Sequence, residues 1–126
     1  METEIINISK SESKEEIYSK LTEYYKRGKL VAIPTETVYG LSANAMDDEA
    51  VSKIYEAKGR PSDNPLIVHF YEMSQLDEIV DYSDENVKKL IDKFWPGPMT
   101  LILNVKENNG ISKKVTAGLN TQLTYC

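Results

Sequence analysis

Two hydroxyls and a carboxylate follow directly after a short apolar stretch of this chain. The segment "LVAI" leads into "PTETVYGL", in which Thr35, Glu36 and Thr37 come after Pro34. Proline fixes its own φ and has no N–H, so it favours the end of a strand. In open α/β sheets, ligands lie beyond the carboxyl ends of the strands. Thr35 is therefore a candidate ligand-binding hydroxyl, and the structural alternative is a hydroxyl-capped turn.

A second candidate segment, "AKGRPSDNPL" (residues 57–66), carries two basic residues on either side of a glycine. Lys58 is a compact charge and Arg60 is a planar fork, a pair that suits a polyphosphate. Two prolines stiffen the loop, and Asn64 adds a neutral hydrogen-bonding amide. We predict that this loop binds phosphates. The structural alternative, which is strongest for Lys58 alone, is that a basic residue at a helix C-terminus favours the macrodipole.

The one histidine, His69, lies in the apolar segment "LIVHF". A lone histidine in such a strand is more often a structural residue than a catalyst, but a neutral imidazole near a strand end could hydrogen-bond a small substrate. No cysteine or carboxylate pattern nearby indicates metal ligation, so no metal site built from side chains is predicted. Neither G-x-x-x-x-G-K-[ST] nor G-x-G-x-x-G occurs, which excludes both common phosphate-binding loops.

Helical and strand patterns alternate along the chain and must position these residues. The segment predicted as the first helix contains Ser13 and Glu16 at capping-box spacing, and the last two helices are each predicted to open at a serine. The predicted helices span residues 9–28, 47–59, 74–80 and 83–95. The predicted strands span residues 29–34, 65–70 and 99–105. Apolar strands alternating with helices predict an α/β fold, a sheet covered by helices, with strand order left open.

The composition indicates one globular domain. The chain has 126 residues, of which 40% are hydrophobic and 28% charged, with a net charge of −5. The negative charge counts against binding RNA through the overall field, although basic residues cluster at 58–60 and 113–114. No apolar run approaches the roughly 20 residues of a membrane span, and the first residues lack a signal-peptide pattern. A cytoplasmic protein with no membrane segment is expected, and a single cysteine, Cys126, allows no internal disulfide.

Four segments occur in order along the chain: "PTETVYGL", "IYEAKGRPSDNPLIVH", "FWPGPMTLIL" and "VTAGLNT". Together they resemble the threonylcarbamoyl-AMP synthase family, the YrdC-like domain, and the resemblance covers nearly all of residues 28–121. It implies a twisted, helix-covered α/β sheet with a concave, positively charged cavity. It also implies that L-threonine, bicarbonate and ATP are condensed to threonylcarbamoyl-adenylate and pyrophosphate. A partner transferase would then modify adenosine in tRNA, with weak or no direct RNA binding by this chain.

The resemblance also implies roles for individual residues. By motif match, Thr35 and His69 would contact the threonine substrate. ATP, together with a magnesium ion, would be held by four residues: Lys58, Arg60, Asn64 and Thr121. Lys58 and Arg60 would be catalytic, but no side chain needs to be a covalent nucleophile, because the carbamate of threonine can attack the α-phosphorus. Catalysis would then consist of positioning and charge neutralisation.

The last residues depart from the family pattern. The family continues beyond the match to Thr121 to an arginine that binds threonine, whereas Tyr125 stands at that position here. We therefore predict a YrdC-like part, residues 1–121, and a tail outside the family, residues 122–126, so that the domain is truncated and its sheet incomplete at the C-terminus. The strand "MTLILNV" is the expected open edge, and a chain that folds poorly or dimerises through this edge is the hypothesis that follows.

Two other functions stay open at this point. One is a truncated, inactive fragment that retains partial nucleotide or RNA binding, for which a steep loss of affinity with salt would indicate RNA phosphate contacts. The other is a carbamoyl-adenylate domain of the hydrogenase-maturation kind, which normally sits inside a much longer chain.

Overall fold

Helices and strands alternate along the chain, in agreement with the sequence pattern. The structure, a computed structural model, describes residues 2–10, 13–59, 61 and 64–125, so Arg60 lies outside the described residues. Within them, a 3-10 turn (Ile8–Lys10) precedes four α-helices and six strands. The helices are α1 (Lys14–Lys26), α2 (Asp48–Lys58), α3 (Met73–Asp77) and α4 (Glu85–Phe94). The strands are β1 (Val31–Pro34), β2 (Tyr39–Ser42), β3 (Ile67–His69), β4 (Val80–Asp81), β5 (Thr100–Val105) and β6 (Thr121–Tyr125).

The strands form two separate sheets. β1 and β2 are an antiparallel hairpin in which Val31 pairs with Ser42 and Pro34 with Tyr39. The other sheet has the order β3-β6-β5-β4, with β3 and β6 parallel and the remaining neighbours antiparallel. The mixed arrangement with helices confirms the predicted α/β class.

The second helix shows why the local predictions succeeded. The Asp47 side chain caps α2 by accepting hydrogen bonds from the backbone N–H groups of Glu49 and Ala50, at 3.0 and 3.1 Å. At the other end, Gly59 adopts the left-handed conformation with φ of 59° and ends the helix. The buried face includes Val51 and Tyr55, which lie one helical turn apart. Every one of these signals lies within the helix or next to it.

Three of the predicted helix starts were wrong. α1 begins after its N-cap Ser13 rather than at residue 9. Glu72 rather than Ser74 is the N-cap of α3, and Asp84 rather than Ser83 is the N-cap of α4. The Asp84 carboxylate accepts from the N–H of Asn86 at 2.8 Å, and a carboxylate at this end also complements the helix dipole. In α3 and α4 the N-cap is therefore an acidic residue one or two positions away from the predicted serine.

The expectation that the strand at 99–105 is an open edge holds only in part. β5 pairs with β6 from Thr100 to Asn104, and its other side pairs with β4 at Asn104 and Val105 alone, so in the described part of the chain residues 100–103 have no strand on that side. β6 itself is an inner strand that includes the residues predicted as a tail, and Gln122 and Thr124 in it are 1% and 0% exposed. The sequence pattern contained no signal for β6 because this strand carries polar residues at its buried positions.

The hydrophobic core belongs to the four-stranded sheet. It is a cluster of buried side chains contributed by α2, β3, α3, β4, α4, β5 and the segment 111–115. Trp95 and Phe70 meet edge to face with ring centroids 5.2 Å apart, and the Trp95 indole N–H donates to the carbonyl of Met99 at 2.6 Å. None of the helices in the described ranges is long and apolar enough to cross a membrane.

Candidate functional site

Thr35 begins the loop between β1 and β2. Its hydroxyl donates to the carbonyl of Val38 and accepts from the backbone N–H of Thr37 at 3.4 Å. The hydroxyl-capped turn is therefore present. It reverses the chain over four residues, so that β2, a strand that the sequence pattern did not predict, pairs with β1. The side chain is exposed and its oxygen has two acceptor lone pairs, so it can still accept a hydrogen bond from a ligand.

His69 is the last residue of β3 and is exposed. Partial burial lowers the pKa of its imidazole from the ordinary value of 6.5, and the negative charge of Glu36 partly offsets this by raising the pKa. The ring is therefore neutral at pH 7 and has one donor and one acceptor nitrogen. Because charges act over short distances in water, the effect of Glu36 indicates that the β1–β2 loop lies near the end of β3.

The α2–β3 loop, residues 59–66, carries the predicted phosphate-binding residues. Lys58 is the last residue of α2 and is exposed, as is Asn64. The N–H of Asn64 donates to the carbonyl of Pro61 at 3.1 Å, which forms a turn in the middle of the loop. Lys58 and Asn64 are thus accessible at the two ends of the stretch that contains Arg60.

Contacts from a distant segment hold this loop in place. The Tyr55 hydroxyl donates to the carbonyls of Asn64 and Lys114, both at 2.8 Å. The N–H of Leu66 donates to the carbonyl of Val115 at 2.9 Å. The loop therefore lies between α2 and the segment 112–118, which are more than 50 residues apart in sequence.

Side chains of the same two elements also contact each other. The Lys114 ammonium donates to the Ser52 hydroxyl at 2.6 Å, and the Ser112 hydroxyl donates to the carboxylate of Asp48. The segment 112–118 thus lies along α2, whose last residue is Lys58. Lys114 therefore lies beside the first half of α2, whereas Lys58 is at its C-terminal end.

Thr121 lies at the same end of the sheet as the α2–β3 loop. β6 runs parallel to β3, with Ile67 level with Leu123 and His69 level with Tyr125. The buried side-chain amide of Gln122 donates to the carbonyl of Leu66 at 2.6 Å, which ties the start of β6 to the loop. At about 3.3 Å per residue, the four steps from one end of β6 to the other span about 13 Å.

The predicted site residues therefore fall into two groups at opposite ends of β3. Lys58, Asn64 and Thr121 are near its beginning, whereas His69 is at its end with the Thr35 loop nearby. Sequence reasoning missed Tyr55 and Gln122, which hold the first group in place. The signal available for Tyr55 was its place on the apolar face of α2, since a buried tyrosine hydroxyl needs a hydrogen-bond partner.

Other candidate sites are weaker. In the part of the chain that the structure describes, no group of three or more His, Cys, Asp or Glu residues could hold a metal ion. A cavity of about 650 Å³ lies between residues 3–9, α1 and β1. Its lining contains none of the described site residues and is mainly apolar, so we place more weight on the converging polar groups at the two ends of β3.

Comparisons with known proteins show a family to which most of the chain is similar. The profile of the Sua5/YciO/YrdC family, described as telomere recombination, matches residues 23–122. Threonylcarbamoyl-AMP synthase of Bacillus subtilis is 56% identical over 96 residues, which are 76% of this chain and 28% of the relative. The enzyme of the same name from Pyrococcus abyssi is 50% identical over 98 residues, which are 78% of this chain and 28% of the relative.

A solved structure shows the same fold. The crystal structure of Pyrococcus abyssi Sua5 complexed with L-threonine superposes with a TM-score of 0.83 and 43% sequence identity. The match covers 91% of this chain and 33% of that one. The chain thus spans about a third of the length of the relatives to which it is similar.

Proposed function

We propose, because the chain belongs to the Sua5/YciO/YrdC family, that it supplies ATP- and threonine-binding elements of a threonylcarbamoyl-AMP synthase. The reaction would join L-threonine, bicarbonate and ATP into threonylcarbamoyl-adenylate with release of pyrophosphate. The observation that carries this proposal is the division of polar groups between the two ends of β3, with basic and amide groups at one end and Thr35 and His69 at the other. Such a division suits a reaction between a nucleotide and a small amino acid.

At the beginning of β3, the chemistry needed is charge neutralisation. The amine of threonine would join the carbon of bicarbonate with loss of water, which gives N-carboxythreonine. An oxygen of its carbamate group would attack the α-phosphorus of ATP, and the bond from that phosphorus to the pyrophosphate oxygen would break. The leaving pyrophosphate gains negative charge, which Lys58 and Arg60 would stabilise. Asn64 and Thr121 would add neutral hydrogen bonds to ATP, and the magnesium ion would arrive with the nucleotide. No described side chain has to form a covalent intermediate.

At the end of β3, the chemistry needed is recognition of a small polar molecule. The Thr35 hydroxyl already donates within its own turn, so it would accept a hydrogen bond from threonine rather than donate one. His69, neutral at pH 7, would supply one further donor or acceptor. The relative of known structure that was complexed with L-threonine supports this choice of substrate.

The remaining parts of the proposal follow from the family. The product would pass to a transferase that modifies tRNA, and direct RNA contact would be weak because the net charge is −5. We further propose a cytoplasmic location. We also propose that residues 1–121 are the part related to the family and that residues 122–126 are a tail outside it. This proposal concerns sequence relationship alone, since residues of the tail belong to β6.

The test is mass spectrometry of threonylcarbamoyl-adenylate formed by the purified chain with ATP, magnesium, bicarbonate and L-threonine. We expect product from the wild type, loss of product in Arg60→Ala, and unchanged product in Arg27→Ala. The control removes the other arginine of the chain, which ends α1 away from the site. Equal loss in both variants would mean that Arg60 acts through general charge, and product in neither variant nor wild type would contradict the proposed activity.

A second function is tested by the same samples. If folded wild-type chain bound ATP with micromolar to millimolar affinity but formed no product, a nucleotide-binding role without turnover would replace the proposal. RNA binding instead of ATP binding would be recognised by a steep decrease in affinity with salt.

A further inference from the structure

We propose that Tyr55 is a positioning residue whose hydroxyl holds Asn64, in the α2–β3 loop, at the place from which it would bind ATP. The inference rests on the proposed function, since it assigns to Tyr55 the task of presenting the loop to the phosphates. It adds a residue that the motif match did not include, at a place where the side chain has no access to the substrate.

The geometry of the Tyr55 hydroxyl carries the inference. The residue is 7% exposed, and its ring belongs to the core cluster. Its hydroxyl lies 2.8 Å from the carbonyl oxygens of both Asn64 and Lys114. A phenol has one proton, so the two carbonyls share it, and both are held toward one point. The hydroxyl therefore connects the middle of the loop to a segment 50 residues further along the chain.

The two ends of the loop are held unequally by the rest of the protein, and this makes the Tyr55 contact important. At its beginning, Gly59 lacks a side chain, and nothing lies within 4 Å of the place where a Cβ would be. At its end, Leu66 is held by the carbonyl of Val115 and by the amide of Gln122. Tyr55 supplies the contact nearest to Asn64. Removing the hydroxyl removes this contact while the bonds of Leu66 remain, and a group that must be ordered on binding binds its ligand more weakly.

Tyr55→Phe is the appropriate substitution, because it removes the hydroxyl and keeps the ring that packs in the core. Tyr82→Phe is the matched control. Tyr82 is also a partly buried tyrosine whose hydroxyl donates to a side chain, that of Asp77, and it lies beside β4, away from the loop. Tyr55→Phe removes a buried donor shared by two carbonyls, whereas Tyr82→Phe removes one exposed hydrogen bond. The free energy of unfolding of each variant is therefore measured as well, which separates a loss of stability from a loss of binding.

Two further measurements are made on the whole chain. The first is the affinity for ATP with magnesium by isothermal titration calorimetry, alongside the affinity for L-threonine. We expect the Kd for ATP to rise about fivefold to tenfold in Tyr55→Phe, the factor for one lost hydrogen bond, with no change in Tyr82→Phe and no change for threonine. The second is hydrogen exchange of the Asn64 and Leu66 amides by NMR, in which Asn64 should exchange faster in Tyr55→Phe while Leu66 remains protected.

Each result decides a different question. Unchanged ATP affinity in a folded Tyr55→Phe variant would overturn the inference, and so would unchanged exchange at Asn64. A wild-type chain that does not bind ATP would contradict the proposed function itself and is recognised before any variant is compared. If Tyr55→Phe did not fold, the test would be hydrogen exchange in the wild type. An Asn64 amide that exchanges at the rate of an unstructured peptide would show that the loop is not held, and this would overturn the inference.

Discussion

The N-terminal region, formed by α1 and the β1–β2 hairpin, is packed much less tightly than the four-stranded sheet with its helices. α1 buries one side chain, Ile17, whereas α2 buries four. The hairpin residues are half-buried at best, and a cavity of about 650 Å³ separates β1 from residues 3–9 and α1. Isolated two-stranded hairpins are marginal in water. The core cluster, by contrast, draws on every other helix and on strands β3, β4 and β5.

This difference divides the candidate site as well as the fold. Thr35 belongs to the loosely packed hairpin, whereas the α2–β3 loop is held by the core through Tyr55 and Gln122. The two regions are linked by contacts such as the hydrogen bond between the hydroxyls of Tyr25 and Ser42, at 2.6 Å. We infer that the backbone at Asn64 and Leu66 is held more firmly than the turn that carries Thr35.

The largest expected effect is the difference in unfolding free energy between leucine-to-alanine substitutions in the two regions. Leu76→Ala in α3 should lower the free energy of unfolding by about 3 kcal/mol, because Leu76 is fully buried and its removal leaves a cavity. Leu21→Ala in α1 should cost about 1 kcal/mol or less, since Leu21 is half-buried beside an existing cavity. Urea unfolding followed by circular dichroism measures both. Equal losses would mean that the regions are equally packed.

The next effect concerns the inner strand of the larger sheet. Gln122→Met keeps the size of the side chain but removes the donor to the Leu66 carbonyl, so we expect a loss of about 2 kcal/mol in unfolding free energy. Thr100→Val, at an exposed position of the adjacent strand, should change stability by less than about 0.5 kcal/mol. A Gln122→Met variant as stable as wild type would argue that β6 contributes little to the fold.

A smaller effect compares the N-caps of the two regions. Asp47→Ala should cost about 1 to 2 kcal/mol of stability, because the carboxylate accepts two backbone hydrogen bonds at 3.0 and 3.1 Å. Ser13→Ala should cost about 0.5 kcal/mol, because its hydroxyl accepts one at 3.4 Å. The check is the denaturation midpoint of each variant at fixed pH. A greater loss for Ser13→Ala would reverse the proposed ranking of α1 and α2.

The smallest effect tests whether the hairpin loop lies near the end of β3. Glu36→Gln removes the charge that raises the pKa of His69, so that pKa should fall further below 6.5, whereas Glu23→Gln in α1 should leave it unchanged. His69 is the one histidine, so its NMR titration curve is unambiguous. No shift in Glu36→Gln would mean that the loop is not positioned beside His69 in solution.

The same pKa sets the direction of a pH effect on stability. Because the folded-state pKa of His69 lies below 6.5, the unfolded chain binds more protons between the two pKa values. The contribution of His69 to stability is therefore present above about 6.5 and decreases as the pH falls through that window. His69→Gln should remove this part of the pH dependence, which unfolding measured at several pH values would detect.

Features that depend on neighbours in sequence were predicted well. Both ends of α2 followed from Asp47 and Gly59, and α1 is capped by Ser13 as its capping pattern indicates, although the predicted range had begun at residue 9. Thr35, Lys58 and His69 are unusual residue types at strand or helix ends, and their roles in binding stay predictions. The serine starts of α3 and α4 were wrong, because the N-caps are the neighbouring residues Glu72 and Asp84.

Contacts between residues far apart in sequence were not predictable from local patterns. The strand β6 carries Gln122 and Thr124 at buried positions, where an apolar pattern was expected. The Gln122 amide nitrogen donates to the carbonyl of Leu66, and the Thr124 hydroxyl donates to the carbonyl of Leu101. The division of the site between the two ends of β3 follows from the parallel register of β3 with β6, which joins residues more than 50 positions apart. Loop closure over that distance is favoured by the packed core as a whole, and no short stretch of sequence encodes it.

The amino-acid sequence was sufficient for the fold class, the family resemblance and the chemical types at the candidate site, because local propensity, capping and motif spacing all act within a few residues. Folding of the whole chain was needed to separate the candidate site into two ends, to bring Lys114 beside α2, and to give the Tyr55 hydroxyl its two acceptors. The physical reason is that a hydrogen bond forms only when donor and acceptor come within about 3 Å of each other. Groups far apart in sequence reach that distance only in the folded chain, where burial makes the bond costly to lose.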